Sequence, residues 1–268
     1  MGVSRSGYYK SIRAENTKTI WPDFHLISKV KQIHKQSRRK YGARRMSAQL
    51  RAEGYNIGRY KARNLMRKAG VSYTYKKKFK PTTDSNHNLP LAKNLWNRKF
   101  NVGQPNTTWC ADISYLWTNE GWLYLAVVID LYSRQAVGWA ISKQMKVSLA
   151  KEALEMAYFR RRPGKGLLHH SDRGSQYAAH QYQDQLKQYG MTCSMSRKGD
   201  CWDNSVVESF FHRLKTECTH EQRYLSREEA RADVIDYIEM FYNSNRLHST
   251  LGYVSPNDFE NEIRKNAA

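Results

Sequence analysis

Cysteine is sparse and scattered: the four thiols stand at positions 110, 193, 201 and 218. No C-x-x-C pair occurs, which argues against a zinc ribbon. Cys218, His220 and His212 lie near one another in sequence, but not at a recognised metal-ligand spacing. Such thiols suit a reduced, intracellular protein. Long apolar runs are missing too. The longest, Trp122 to Ile129, is too short to cross a bilayer. The N-terminal MGVSRSGYYK lacks the apolar core of a signal peptide. No membrane partner is expected, therefore, and a cytoplasmic location is. No internal repeat is visible, and no heptad is sustained.

Acidic residues are missing most unevenly. Residues 1–80 hold 3 Asp and Glu against 22 Lys and Arg, a net +19 of the chain's +21. Residues 81–268 nearly balance, at +2. A solubilising surface gains little from that much charge in one segment, so a polyanion partner explains it better. Nucleic acid fits better than membrane. The 40% hydrophobic and 12% aromatic content supports a buried core rather than wholesale disorder. A length of 268 residues allows a large domain plus a small one.

Within the basic segment, residues 23–70 read as helices. A helix around 46–53 meets a turn at Gly54 to Gly58, and a second helix follows around 59–69. In that second helix Ala62, Leu65, Met66 and Ala69 fall at i, i+3, i+4 and i+7, one buried stripe. Tyr60, Arg63, Asn64 and Arg67 repeat the spacing on the opposite side. Helix, Gly-containing turn and helix with a basic and amide outer face is the pattern of helix-turn-helix DNA binding. The plain alternative is a basic helical hairpin. A small all-α region is thus expected over 1–71, with the helix-turn-helix at about 41–71. A basic linker follows over 72–105, containing Lys76, Lys77 and Lys78.

From Asn106 the pattern changes. Thr108 to Trp117 alternates, with Trp109, Ala111, Ile113 and Tyr115 on one face and Cys110, Asp112 and Ser114 on the other. Trp122 to Leu131 is nearly continuous apolar, as in a central buried strand. Ala136 to Ser142 makes a third strand, and the turns between them suggest an antiparallel meander. A helix at about 147–161, a strand at 166–171, a helix around 179–189 and a brief strand at 191–194 come next. A polar loop at 195–203 leads to a helix at about 204–217. The last long helix starts at Ser226, whose S-x-x-E pattern with Glu229 is a capping box. The order reads as an α/β layout with a mixed sheet, antiparallel first and parallel after. The core is expected over 106–225, with a C-terminal helical extension over 226–268.

Three acidic residues stand out: Asp112 in the first strand, Asp172 at the end of the fourth, and Glu208 on a helix, 35 residues after Asp172. Phosphoryl transfer to DNA needs two divalent cations about 4 Å apart, one for the attacking and one for the leaving oxygen. Mg²⁺ takes oxygen ligands and keeps several waters, so a few rigidly placed carboxylates suffice. Each residue also has a plain reading. Asp112 could face solvent, Asp172 could be a turn or helix-start residue, and Glu208 could complete a capping box with Ser205. On a helical wheel, however, Val206, Val207, Phe210, Phe211 and Leu214 cover one side, while Glu208, His212 and Lys215 cluster on the other. A carboxylate and an ammonium on one open face suit a metal beside a DNA backbone.

The local words are more specific. They are TWCADISYLW around Asp112, VVIDLYSRQAVGWA after it, HHSDRGSQY around Asp172, MSRKGDCWDNSVVESFFHRLKTE around Glu208, and the ending YNSNRLHSTLGYVSPNDF. With Lys215 seven residues after Glu208, this set resembles the IS-three family of bacterial insertion-sequence transposases and, more distantly, retroviral integrases. The resemblance runs from about residue 40 to 260. It implies an RNase H-like core, a mixed five-stranded sheet with flanking helices, preceded by a helix-turn-helix domain. It implies a DDE enzyme using Mg²⁺ or Mn²⁺ at Asp112, Asp172 and Glu208, with 3′-end cleavage followed by strand transfer. The implied partners are double-stranded DNA (element terminal repeats and target), a further copy of the chain in the DNA complex, and the upstream reading-frame product of such elements. This chain would correspond to the second reading frame, and its setting would be the bacterial nucleoid. The zinc-binding N-terminal module of retroviral integrases is absent.

Further candidate DNA contacts are Lys215, Tyr60, Arg63, Asn64, Arg67, Lys76, Lys77, Lys78, Arg173 and Trp202. Trp202 in its polar loop either stacks on an unpaired base or packs beneath the loop. Arg160 to Arg162 read as phosphate contacts or solvated charge. Asp130 near a strand end is a rival to Asp112, and His169 and His170 read as strand packing. Two other functions compete. A non-catalytic regulator of transposition would also use the basic helices, but three carboxylates facing phosphates would hinder it. A nonspecific nuclease explains the trio but not the +19.

Overall fold

The computed structural model describes residues 4–5, 8–9, 22–73, 89–97, 102–197 and 201–267. The chain forms two compact units, Met1–Thr74 and Tyr75–Ala268. Lys76, Lys77 and Lys78 lie outside the described residues.

Over residues 22–73 the first unit forms the helices α1 (Pro22–Gln36), α2 (Ala43–Ala52) and α3 (Arg59–Lys68). Their apolar stripes close on one another through Val30, Ile33, Met46, Leu50, Ala62 and Leu65, all buried. Gly54 ends α2 in the left-handed region, φ 88°. Its N–H donates to the Arg51 carbonyl at 3.0 Å, and the Tyr55 N–H to that of Leu50 at 2.9 Å. These two bonds satisfy carbonyls the helix end would otherwise leave open, and a Cβ at position 54 would oppose the backbone that makes them. The buried Ser47 hydroxyl then donates to the Ile57 carbonyl at 2.7 Å and fixes the turn into α3. Tyr60, Arg63, Asn64 and Arg67 all stand exposed on α3's outer side.

The second unit is built on a five-stranded sheet in the order β3-β2-β1-β4-β5. Its strands are β1 (Thr108–Thr118), β2 (Gly121–Asp130), β3 (Ala136–Ser142), β4 (Leu168–Ser171) and β5 (Thr192–Met195). β1–β2 and β2–β3 are antiparallel; β1–β4 and β4–β5 are parallel. The fold is thus mixed α/β. One face carries Trp109, Ala111, Ala126 and Val128, packed with α4 (Val147–Arg161), the short α5 (Ser175–Ala178) and α6 (His180–Gln188). Gly138 allows α4 to approach: a Cβ there would lie 2.6 Å from the Ala157 amide nitrogen and 2.7 Å from its methyl group. β1 and β2 also touch α7 (Ser205–Leu214) and α8 (Arg227–Asp236). Both faces of β2 are therefore covered, which its apolar run requires.

Several details depart from the sequence reading. The helix expected to 217 keeps α geometry only to Leu214 and continues as a π-helical turn, Lys215–Thr219. A second π segment, Tyr237–Asn243, extends α8. At Ser226 half of the capping box forms: its side chain accepts from the Glu229 N–H at 3.1 Å. The Glu229 carboxylate, however, accepts from Leu225 at 2.8 Å. The final helix is α9 (Pro256–Ala267). Asn243 reaches the outer edge of β3, where it accepts from the Ala136 N–H and donates to its carbonyl, both at 3.0 Å.

His169 in β4 is fully buried and lies 3.0 Å from the Tyr182 hydroxyl. Burial, followed by the neighbouring His170, pushes its imidazole down to about 3. The unfolded chain, with His near 6.5, binds the proton first. This contribution to stability is therefore present above pH ~6.5 and is lost as pH falls toward 3. Between pH 4 and 5.5, a His169→Gln variant should lose stability with acid less steeply than the parent, by about 1.4 kcal/mol per pH unit. Urea titrations at stepped pH measure this, and parallel slopes would rule out the buried neutral imidazole.

Candidate active site

Strand register brings the first two carboxylates together. β4 pairs with β1 through Ala111 and Ser171, so Asp112 and Asp172 are the next residues on two adjacent parallel strands. Asp112 lies opposite Val127 in β2, on the sheet face opposite to Trp109 and Ala111. One of its oxygens accepts the Ile113 N–H at 2.8 Å. Asp172 leaves β4 into a turn, with one oxygen accepting the Gly174 N–H at 2.9 Å. It is thus a turn residue, and still within charge range of the others.

Glu208 comes from α7, whose Val207, Phe210, Phe211 and Leu214 are buried and whose Glu208 side is exposed. The N-cap of α7 is Asn204, and no side-chain capping bond forms there, so Glu208 is not half of a capping box. Electrostatics couples the three. Burial pushes the Asp112 carboxyl well above the usual carboxylate range, Asp172 and Glu208 push it further, and the Ile113 N–H and Lys215 oppose them. Glu208 is raised by burial and by Asp172.

Lys215 departs from the open-face expectation. Its Nζ sits 5.2 Å from the centroid of the Tyr115 ring, turned toward β1. Burial lowers the ammonium, and Asp112 pulls it back up. The change to π geometry begins at this residue.

Negative charge that raises the Asp112 and Glu208 carboxyls is an arrangement that a divalent cation would relieve. Their donor set is oxygen alone, as Mg²⁺ or Mn²⁺ prefers. Among the described residues, no three His, Cys, Asp or Glu side chains form a compact ligand cluster.

Comparison with known proteins assigns the family. An integrase core domain model matches residues 103–201, a second one 208–263, and an HTH-like domain model 22–79. The transposase InsF for insertion sequence IS3A of Escherichia coli (strain K12) is 44% identical over 262 residues, 97% of this chain and 91% of that one. The chain belongs to the IS3 family of insertion-sequence transposases. Another relative is the insertion element IS600 uncharacterized 31 kDa protein of Shigella sonnei. It is 43% identical over 267 residues, 100% of this chain and 98% of its own. As an IS3-family transposase with an integrase core, the chain is a polynucleotidyl transferase. Among solved structures, the catalytic core domain of BIV integrase aligns at 17% identity and a TM-score of 0.44, over 60% of this chain and 98% of that one. That likeness is too loose to bear on the chemistry.

Other candidate residues of the transposase fall into place. Asp130 shares the face of Trp109, opposite to Asp112. It is fully buried, accepting the Asn106 and Tyr132 N–H groups at 2.8 Å, with Arg161 at 3.5 Å. Arg161 is neither solvated nor a phosphate contact: it makes two 2.7 Å bonds to Glu260 and others to Asn106 and Gln135. Arg160 pairs with Glu239 at 2.8 Å. Arg173 spends its Nε on the Ser196 carbonyl at 2.6 Å, tying the end of β4 to the loop after β5. His170 packs against Trp96 and lies 2.9 Å from the Ser194 hydroxyl. Trp202 lies in a 3₁₀ turn, Cys201–Asn204, and its side chain is outside the described residues. The turn is anchored by buried Asp203, which accepts from Asn94 at 2.7 Å and from the Arg197 amide and guanidinium. No helix among the described residues is long and apolar enough to cross a membrane.

Sequence reasoning missed two elements near the site. One is the Tyr115 platform under Lys215. The other is a buried pair: Arg246 donates to both oxygens of Glu217, at 2.6 and 2.8 Å. The only signal for the second was the word YNSNRLHS, which the spacing argument left without a role.

Proposed function

We propose that Asp112, Asp172 and Glu208 hold two Mg²⁺ (or Mn²⁺) ions with which the chain cleaves insertion-sequence ends and transfers the cut strand to target DNA. The observation that supports this reading is the strand register that sets Asp112 and Asp172 side by side, with Glu208 close enough for its charge to raise the Asp112 carboxyl. When bound, the ions supply activation of the attacking oxygen and stabilisation of the leaving one. The chain's own part is placement. Asp112 is fixed by a strand paired on both sides at its base, Asp172 by its turn, and Glu208 by a helix seated on a buried apolar stripe. Lys215, beside Asp112, would hold the DNA phosphate next to the ions. The outer face of α3 (Tyr60, Arg63, Asn64 and Arg67) would contact the terminal repeats, with Lys76, Lys77 and Lys78 adding sequence-independent attraction. A second copy of the chain and the upstream reading-frame product would complete the DNA complex.

The test is incubation of the full chain with candidate element ends and Mg²⁺, followed by nick mapping on sequencing gels. Nicks at the 3′ ends are expected with the parent, and none with Asp172→Asn or Glu208→Gln, while all three proteins retain the same gel shift. Cleavage surviving either substitution would remove that residue from the trio.

A further inference from the structure

β1 outruns β4: the parallel pairing ends at Ala111, and β1 continues to Thr118 paired only with β2. Along that outer half lies a half-open groove of about 520 Å³, lined among others by Tyr115, Trp117, Lys215, His220, Gln222 and Arg223. No carboxylate lines it among the described residues.

Its aromatic wall is stiff and outward-facing. Tyr115 and Trp117 share one face of β1, and both meet Trp122 of β2 edge-on, at 4.9 and 4.7 Å between ring centroids. Trp117 and Trp122 remain 59% and 44% exposed, an unusual cost for two large rings on one hairpin. The hairpin tip is held from behind. Arg227 donates its N–H to Glu120 at 2.8 Å and its Nε to the Trp122 carbonyl at 3.1 Å. The Asn119 N–H donates to the Tyr224 carbonyl at 3.0 Å. The lining also supplies cations: Lys215, whose Nζ lies 5.2 Å from the Tyr115 ring centroid, and the exposed Arg223.

An exposed ring beside cations, without carboxylates, suits a nucleotide: the base stacks and the phosphate pairs. The volume falls within the roughly 300–1,000 Å³ of small-molecule sites, too small for a duplex. Lys215 immediately follows α7, which carries Glu208, so the occupant of the groove would lie near the proposed cleavage site. We infer that this groove takes an unpaired nucleotide of the DNA strand next to the cleavage site, the base against the exposed Trp117 and the phosphate at Lys215 and Arg223. The inference rests on the DNA-cleaving reading above, but it is tested by binding without metal.

The probe is a DNA hairpin duplex with a two-nucleotide overhang containing 2-aminopurine, titrated with the full chain in EDTA. Quenching of the overhang fluorophore is expected, with affinity about tenfold above that of the blunt duplex or of an abasic overhang, the scale of stacking one base. Trp117→Leu, which keeps apolar bulk, should remove that advantage and the quenching while leaving blunt-duplex affinity unchanged. Arg223→Gln should weaken the base-bearing and abasic overhangs alike. Equal affinity for all three DNAs, or a Trp117→Leu loss that falls equally on blunt DNA, would overturn the assignment. Overhang-selective quenching without nicking by the parent in Mg²⁺ would leave the groove standing and sink the cleavage reading instead.

Discussion

Asp112→Asn is expected to abolish strand cleavage and, in the absence of metal, to make the protein more stable. The loss should reach about 10²–10³-fold or more, the scale for deleting one preorganised electrostatic group. Combining it with Asp172→Asn should add little, because the carboxylates act as a unit. The gain in stability follows from the raised carboxyl. Burial, Asp172 and Glu208 all oppose its charged form. A group whose folded pKa lies above its unfolded value favours the fold when protonated, and that contribution is lost as pH rises through the folded value. At neutral pH the metal-free parent therefore bears the cost of burying a carboxyl that the unfolded chain ionises freely, and Asn removes that cost. Each kcal/mol recovered should raise the Tm by about 2–4 °C for a unit of this size. Mg²⁺ should raise the parent's Tm through binding to the folded form alone, and should do so far less in the variant. Differential scanning fluorimetry with and without Mg²⁺ reads both effects. A variant less stable than the metal-free parent, or equally responsive to Mg²⁺, would refute this account.

The second large effect is structural. Arg246 and Glu217 are almost wholly buried, and the Tyr237 hydroxyl donates to the same carboxylate at 3.0 Å. The Glu217 charge raises the Arg246 guanidinium further, against the opposing cost of burial. Arg246→Ala would strand a buried carboxylate and should cost about 3–5 kcal/mol. That is a large share of the roughly 5–15 kcal/mol that holds a domain together. The double variant Glu217→Leu with Arg246→Met should recover much of the loss, since an apolar pair of similar bulk leaves no charge behind. Glu217 sits in the π turn that begins at Lys215, so Arg246→Ala should also weaken DNA joining in whatever fraction stays folded. Chemical denaturation of the two single variants and the double gives the coupling directly. A loss under about 1 kcal/mol for Arg246→Ala would show that the pair does not hold this turn.

The mixed sheet and the three carboxylates were legible because each leaves a local trace. β1 alternates, β2 is apolar throughout, and Asp112, Asp172 and Glu208 each sit in a distinctive word. The side of the sheet on which Asp130 falls follows from register, which the sequence of one strand does not contain. Arg161 read as charge, and Arg246 went without a role, because their partners, Glu260 and Glu217, lie 99 and 29 residues away. The π turns left no trace either, since segments of five and seven residues are too short for a change of period to be read from apolar spacing. Glu208 and Lys215 look equivalent on a helical wheel. Only the packing of α7 near β1 separates the exposed carboxylate from the inward-turned ammonium.

The amide of Asn243 on the edge of β3 has a consequence for synthesis. A ribosome delivers Ala136 well before the residue that satisfies it, 107 positions later. At about 5–20 residues per second, the edge stands open for roughly 5–20 s. Throughout that interval its first N–H and carbonyl are available to any other nascent strand. The Asn243 side chain closes that end of the edge, which in each new molecule stays open until residue 243 has emerged.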